Sequence, residues 1–302
     1  IQISGSLTAS EPTDPGDPAF SHSYSSVTGT TTFTIPFNTN TEPNGTETVT
    51  INPASTTSIY DAVGNAASDT QSTNTAGTLP DEVSPTLTSV SATDGTYKIG
   101  DDIVITATWN ENVVVTATPT LTLSNGGSAS YNSGGGSGTN SLTFTYQVAE
   151  GDTDAGDLSV SGHIGSIKDS AGNDAGQASG DLGNVVVDAN PPTLSNVALS
   201  ANNSSSTGYA IAGITVELTF TASETLYDDP SVSFQSGGTN VNGSITVSPQ
   251  GNNNYKASYL VDSADVDGSV TFEISNYQDS AGNSGASVTS GTGSFTIDTT
   301  VP

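Results

Sequence analysis

Two independent motifs recur along this chain on one step. A chain that repeats every hundred or so residues folds as consecutive copies of one unit rather than as a single large core. The pentapeptide Asp-x-Ala-Gly-Asn stands at Asp169 to Asn173 and Asp279 to Asn283, with a variant from Asp61 to Asn65, so that its first residues lie 108 and 110 apart. The motif Asp-x-x-x-Pro stands at Asp81 to Pro85, Asp188 to Pro192 and Asp298 to Pro302, on steps of 107 and 110. After Pro85 and Pro192 comes Thr-Leu, opening a new apolar alternation. The expected units are therefore residues 1–84, 85–191 and 192–302, and the last Pro marks where a further unit would begin. The first is shorter than the period and is expected to be an incomplete or divergent copy.

Within a unit the apolar period is two. Ile103, Ile105, Ala107 and Trp109 alternate with polar residues, as do Leu142, Phe144, Tyr146 and Val148, then Ile214, Val216, Leu218 and Phe220, and Val270, Phe272 and Ile274. Such runs are half-buried strands, and the Gly, Ser, Asn and Asp clusters between them are turns. No segment shows a helical stripe. About seven strands per unit is the rhythm of an immunoglobulin-like sandwich, so the fold class is all-β, a tandem array of such sandwiches forming an elongated rod. Residues 133–140, rich in Gly, read as a flexible hairpin loop. A phosphate cradle is the sharper alternative there, disfavoured because no Lys follows a Gly anywhere.

The formal charge is -28 over 302 residues, from 31 Asp and Glu against 3 Lys and Arg. No basic cluster exists to neutralise a phosphate backbone, which argues against nucleic acid, and an anionic membrane surface would repel the chain. No apolar run is long enough for a spanning helix. The absence of Cys removes disulfides, thiolate metal sites and thiol nucleophiles. No secretory signal is visible. The chain opens at Ile1 and contains no Met, from which a processed or excised piece of a longer polypeptide is expected. Only 11% of residues are charged, so the net charge is large because cations are missing, and a free cation is the obvious partner for the carboxylates.

Topology places those carboxylates. In an antiparallel sandwich the loops after the second and sixth strands return to the N-terminal pole, while the loop before the sixth strand and the end of the last lie at the other. Residues 85–191 then carry Glu111, Asp169 and Asn173 at the first pole, and Asp152, Asp154, Asp157 and Asp188 at the second. Residues 192–302 repeat this with Glu224, Asp279 and Asn283, then Asp262, Asp265, Asp267 and Asp298. Stacking sets Asp152, Asp154 and Asp188 against Glu224 and Asp279, and Asp81 against Glu111 and Asp169, with Glu42 a weaker candidate. Crowded carboxylates do not all ionise without a cation among them. Oxygen-only ligands in adjustable loops suit Ca²⁺. The competing reading is that Asp and Asn form turns by bonding their own backbone. For Asp61 and Asn65 both readings stay open; for the recurring acids the ligand reading is preferred.

Trp109 reads as core, with a carbohydrate platform as the alternative. His22 and His163 have no partner at ligand spacing and read as surface or loop residues. Asn44, Asn202, Asn203 and Asn242 head glycosylation triplets, which matter only in a source that glycosylates. A catalytic carboxylate pair should occur once, whereas these acids recur with the repeat, and no nucleophile elbow or paired metal-ligand His is present, so an enzyme is not expected.

The segments Y-K-I-G-D-D-I-V-I-T-A-T-W-N-E-N-V-V-V-T, L-T-F-T-Y-Q-V-A-E-G-D-T-D-A-G-D-L and I-K-D-S-A-G-N-D-A resemble the bacterial immunoglobulin-like repeats of giant secreted adhesins, including the repeats-in-toxin type. The segments F-T-A-S-E and F-E-I-S-N-Y-Q-D-S-A-G-N resemble a neighbouring subgroup. The likeness covers residues 85–302. It implies calcium-rigidified extender modules at a bacterial cell surface, whose partners are neighbouring repeats and which hold an adhesive domain away from the cell. The short first unit raises the alternative of a filament or surface-layer subunit joined head to tail by strand addition.

Overall fold

Alternating burial along the long central strands is what joins the sheets into sandwiches. The computed structural model describes residues 80–203 and 208–300, together with short strand segments and Gly45, Val63 and Asn65 in the stretch before them. Those segments are β1 (Gln2–Ile3), β2 (Leu7–Ala9), β3 (Thr48–Val49), β4 (Ile51–Pro53), β5 (Ile59–Tyr60) and β6 (Gly77–Thr78), which pair antiparallel as β1 with β5, β2 with β4 and β3 with β6. Glu42, Asp61, His22 and Asn44 lie outside the described residues. Among the described residues every element is a strand, and none is a helix.

The next stretch contains β7 (Leu87–Ser91), β8 (Gly95–Lys98), β9 (Asp102–Val115), β10 (Thr120–Leu123), β11 (Ser128–Tyr131), β12 (Thr139–Gln147), β13 (Ser159–Ile164), β14 (Ile167–Lys168), β15 (Gly180–Asp181) and β16 (Val185–Asp188). The sheet runs β14-β9-β12-β11-β10-β13-β15 with β7 also on β9, while β8 and β16 pair in parallel. Ile103, Ile105, Ala107 and Trp109 of β9 and Leu142 and Phe144 of β12 are all buried, as the alternation requires. Trp109 is 1% exposed, so it packs in the core and offers no carbohydrate platform. His163 departs from the expected surface position: it is 8% exposed on β13, its Nδ1 accepts the Ala178 N–H, and burial pulls its pKa down. The glycine-rich turn after β11 is bonded into place, with Gly138 N donating to Val113 O and Ser137 Oγ accepting from Val115 N.

The last stretch contains β17 (Leu194–Ala201), β18 (Tyr209–Ala210), β19 (Thr215–Ala222), β20 (Ser231–Ser236), β21 (Thr239–Asn240), β22 (Thr246–Gly251), β23 (Asn254–Leu260), β24 (Gly268–Ser275) and β25 (Thr296–Ile297). Its two sheets run β17-β19-β23-β22 and β18-β25-β24-β20-β21. In chain order the first sheet holds the first, second, fifth and fourth main strands and the second holds the seventh, sixth and third, which is the immunoglobulin arrangement. Phe220 stacks on Tyr255 and Phe234 tilts onto Tyr259 between the sheets. One buried cluster lies entirely within residues 87–189 and a second within 194–297.

Candidate metal centres

The Asp-x-Ala-Gly-Asn loops are built from the backbone outward. Asp169 Oδ1 accepts the N–H groups of Gly172 at 2.6 Å and Asn173 at 2.9 Å, and Asp279 Oδ1 accepts those of Gly282 at 2.6 Å and Asn283 at 2.8 Å. Gly172 and Gly282 have φ of 105° and 95°, a conformation glycine adopts without steric penalty. The turn reading of these aspartates is therefore correct as far as Oδ1 goes. The loops also hold Asp169 and Asp279 nearly fully buried, at 4% and 1% exposure, at the pole facing the preceding unit.

The glutamates come from the second long strand of each unit. Around Glu111 the pairing of β9 with β12 jumps from Thr108↔Ser141 to Val113↔Thr139, a bulge that turns this residue away from the regular pleat. Glu224 follows β19, where Ser223 N donates to Thr193 O. Asp81 and Asp188 arrive from the end of the preceding unit. The result is two carboxylate triplets, Asp81 with Glu111 and Asp169, and Asp188 with Glu224 and Asp279, each offering oxygens that all lie within 4.8 Å of one another.

Among the described residues no lysine pairs with a carboxylate of either triplet. Lys168 pairs with Asp174 at 2.7 Å, Lys256 pairs with Glu217 at 3.0 Å, and Lys98 Nζ donates to Gly282 O. Burial, followed by the charges of Asp81 and Asp169, raises the Glu111 pKa; burial, followed by Asp279, Asp188 and Asp154, raises that of Glu224. Asp188 is raised too, chiefly by burial, with Asp279 and Asp154 adding to it against the Asn190 N–H. Asp169 goes the other way. Burial is its largest single influence, yet hydrogen bonds from the Asn173 side chain and from the N–H groups of Asn173, Gly172 and Ala171 outweigh it. The first centre thus sets the stabilised Asp169 carboxylate beside a glutamate that resists ionisation, and in the second Glu224 and Asp188 both resist it; each is an oxygen-only arrangement a hard divalent cation would relieve.

The remaining expected ligands are placed differently. Asp154 stands next to the second triplet, its Oδ1 accepting Ala189 N and Asn190 Nδ2 at 2.8 Å. Asp152 is drawn into its own loop, its Oδ2 accepting the Tyr146 hydroxyl at 2.6 Å and Ala149 N at 2.8 Å, because a buried phenol takes the nearest strong acceptor. Asp265 is the counterpart of Asp152, binding Asn242 and Asp262 N, and Asp262 caps Ala264 N. Asp267 and Asp298 stand at the far pole, tied to Thr299 and Thr300. The structure places Asn173 and Asn283 behind the carboxylates, with Asn173 Nδ2 on Asp81 O and Asp169 Oδ2 and Asn283 Nδ2 on Asp188 O and Asp279 Oδ2. Sequence reasoning missed the bonds across the second junction, Ile99 N to Asn283 Oδ1 and Lys98 Nζ to Gly282 O, because one partner of each is a main-chain group with no signature in the side-chain sequence.

No known protein-family profile matches the chain, and no curated protein matches it in sequence. Similar solved structures include a tandem pair of titin immunoglobulin domains, 13% identical over 72% of this chain and 96% of that one with a TM-score of 0.21. The eight N-terminal immunoglobulin domains of Down syndrome cell adhesion molecule match at 13% identity over 98% of this chain and 33% of that one, with a TM-score of 0.29. The tandem immunoglobulin repeats of Dlar match at 14% identity, over 72% and 98%, with a TM-score of 0.20. The strand order of residues 194–297 carries the fold assignment: the chain is a tandem array of immunoglobulin-like β-sandwiches.

Proposed function

We propose that the chain is a calcium-stiffened spacer, an extracellular extender segment of a bacterial surface adhesin that holds an adhesive domain away from the cell. The observation that carries this reading is the recurrence of the same Asp-Glu-Asp triplet at two consecutive junctions, each assembled from two units. A catalytic pair has no reason to recur at unit boundaries, whereas a structural cation does. The cation belongs to the docked state because the triplet exists only when two units meet. At a concentration of about 100 times the dissociation constant, each site adds roughly 2.7 kcal/mol to that state. Sites of about 10⁻⁴ to 10⁻³ M affinity fill outside a cell and stay mostly empty in cytosol, so a chain exported flexible would stiffen on arrival.

Thermal melts and small-angle scattering of the full chain in calcium and in EDTA test this reading. Calcium is expected to raise the melting temperature and narrow the range of shapes. Melts and scattering curves identical in the two conditions would contradict it.

A further inference from the structure

We propose that Asn173 and Asn283 are positioning residues, amide clasps that dock one unit on the next by hydrogen bonds alone and hold the carboxylate triplet in register. Asn283 is 3% exposed, and every polar atom it has faces a complementary group. Its N–H and Nδ2 donate to Asp279 Oδ1 and Oδ2 at 2.8 Å, fixing the side chain to its own loop. Nδ2 also donates to Asp188 O at 3.0 Å, and Oδ1 accepts Ile99 N at 3.0 Å, two bonds to the preceding unit from opposite ends of one carboxamide. Only this orientation of the amide fits, because a carbonyl oxygen and a backbone N–H face opposite ends of it. Asn173 repeats the donor half on Asp81 O at 3.0 Å and Asp169 Oδ2 at 2.7 Å. An aspartate there would lack the donor, and a glycine would lack both groups. Docking and cation binding are therefore separable. The clasp sets where the units meet, the unneutralised carboxylates push against it, and the cation removes the push. The clasp does not depend on the triplet taking a cation.

The second junction allows a clean test, because Ile99 offers its N–H from a turn. Asp101 N donates to Lys98 O, and Gly100 has φ of 90°, which makes Ile99 the second residue of a type II turn. Proline is favoured at that position, so Ile99→Pro removes the donor to Asn283 while suiting the local backbone and leaving the acidic loops untouched. The chain has no Cys, so labels at Ser130→Cys and Ser233→Cys report the distance between the two units by electron double resonance.

The measurement is made on the full chain in EDTA, with Glu224→Gln to remove the carboxylate push. The docked peak is expected to dominate. Adding Ile99→Pro is expected to lower the ratio of docked to undocked molecules about 2- to 10-fold, the weight of one net hydrogen bond. Asn283→Ala, which removes both halves of the clasp, is expected to lower it further. An unchanged ratio in the Ile99→Pro chain would overturn the clasp. Calcium added to the chain with Glu224 intact tests the cation reading separately. No response there, with the Ile99→Pro loss present, fails that reading and supports the clasp.

Discussion

Tyr146 and Tyr259 stand at equivalent places, each two residues before the valine that follows its strand, yet their hydroxyls have opposite fates. Tyr146 donates to Asp152, and burial followed by that bond pushes its pKa up to about 12. The Tyr259 hydroxyl is buried without a hydrogen-bond partner, while Asp265 accepts from Asn242 and Asp262. Tyr146→Phe should therefore cost about 1.5 to 3 kcal/mol, the worth of a hydrogen bond to a charged acceptor. Tyr259→Phe should be neutral or stabilising, since it removes an unsatisfied buried group. Urea unfolding of both variants checks the contrast. The glutamates carry a second prediction. Glu111 and Glu224 have pKa values raised above 4.5 by burial first and by neighbouring carboxylates second. Without cation, each destabilises the docked state fully above its raised folded pKa, and the cost vanishes as pH falls below the unfolded value. Melting temperature in EDTA should therefore rise on acidification from neutral pH toward the glutamate range, and Glu224→Gln should raise it at neutral pH and weaken that rise. In calcium both signs should reverse, because protons then compete with the cation. At this scale the sequence showed which acids recur. Whether an aspartate caps a turn, binds a phenol or faces the junction depended on which neighbour the fold turns toward it, Tyr146 for Asp152 and Asn242 for Asp265.

Strand positions were the most legible level, because burial in a sandwich alternates with the pleat and Ile103, Ile105, Ala107 and Trp109 follow it without exception. The break in the β9 pairing around Glu111 was not legible. It arises from where β12 resumes its register, a long-range pairing that leaves no local mark. The loop between β24 and β25 is equally tight. Tyr277 donates its hydroxyl to Ala286 O at 2.5 Å and lies over Gly285, where a Cβ would overlap the ring. Gly285→Ala should displace that ring and cost about 1 to 3 kcal/mol by overpacking, measurable as a lower urea midpoint with unchanged slope. Among the described residues the edge strand β22 pairs only with β23, and it carries Pro249, which has no N–H to offer an incoming strand. This edge of the last sandwich is thereby guarded against the strand addition that a head-to-tail filament would use.

For the whole molecule, the -28 formal charge follows from 31 acids set against 3 basic residues, and six of those acids meet in the two junction triplets, with no ion pair of theirs to a lysine among the described residues. The repeat spacing foretold both triplets, because residues 107 to 113 apart in the chain occupy equivalent places on consecutive sandwiches. It did not foretell the clasp, whose acceptor and donor partners are main-chain groups. Under the proposed function the charge has a use: repulsion at each junction would make stiffness depend on a cation from outside. Calorimetric calcium titration of the full chain beside Glu111→Gln and Glu224→Gln tests this most directly. The account predicts that each substitution removes one calcium equivalent or weakens one site at least about tenfold, leaving the other junction as it was, as expected for sites with no shared partners. A titration without calcium binding, or one that neither substitution alters, would contradict it.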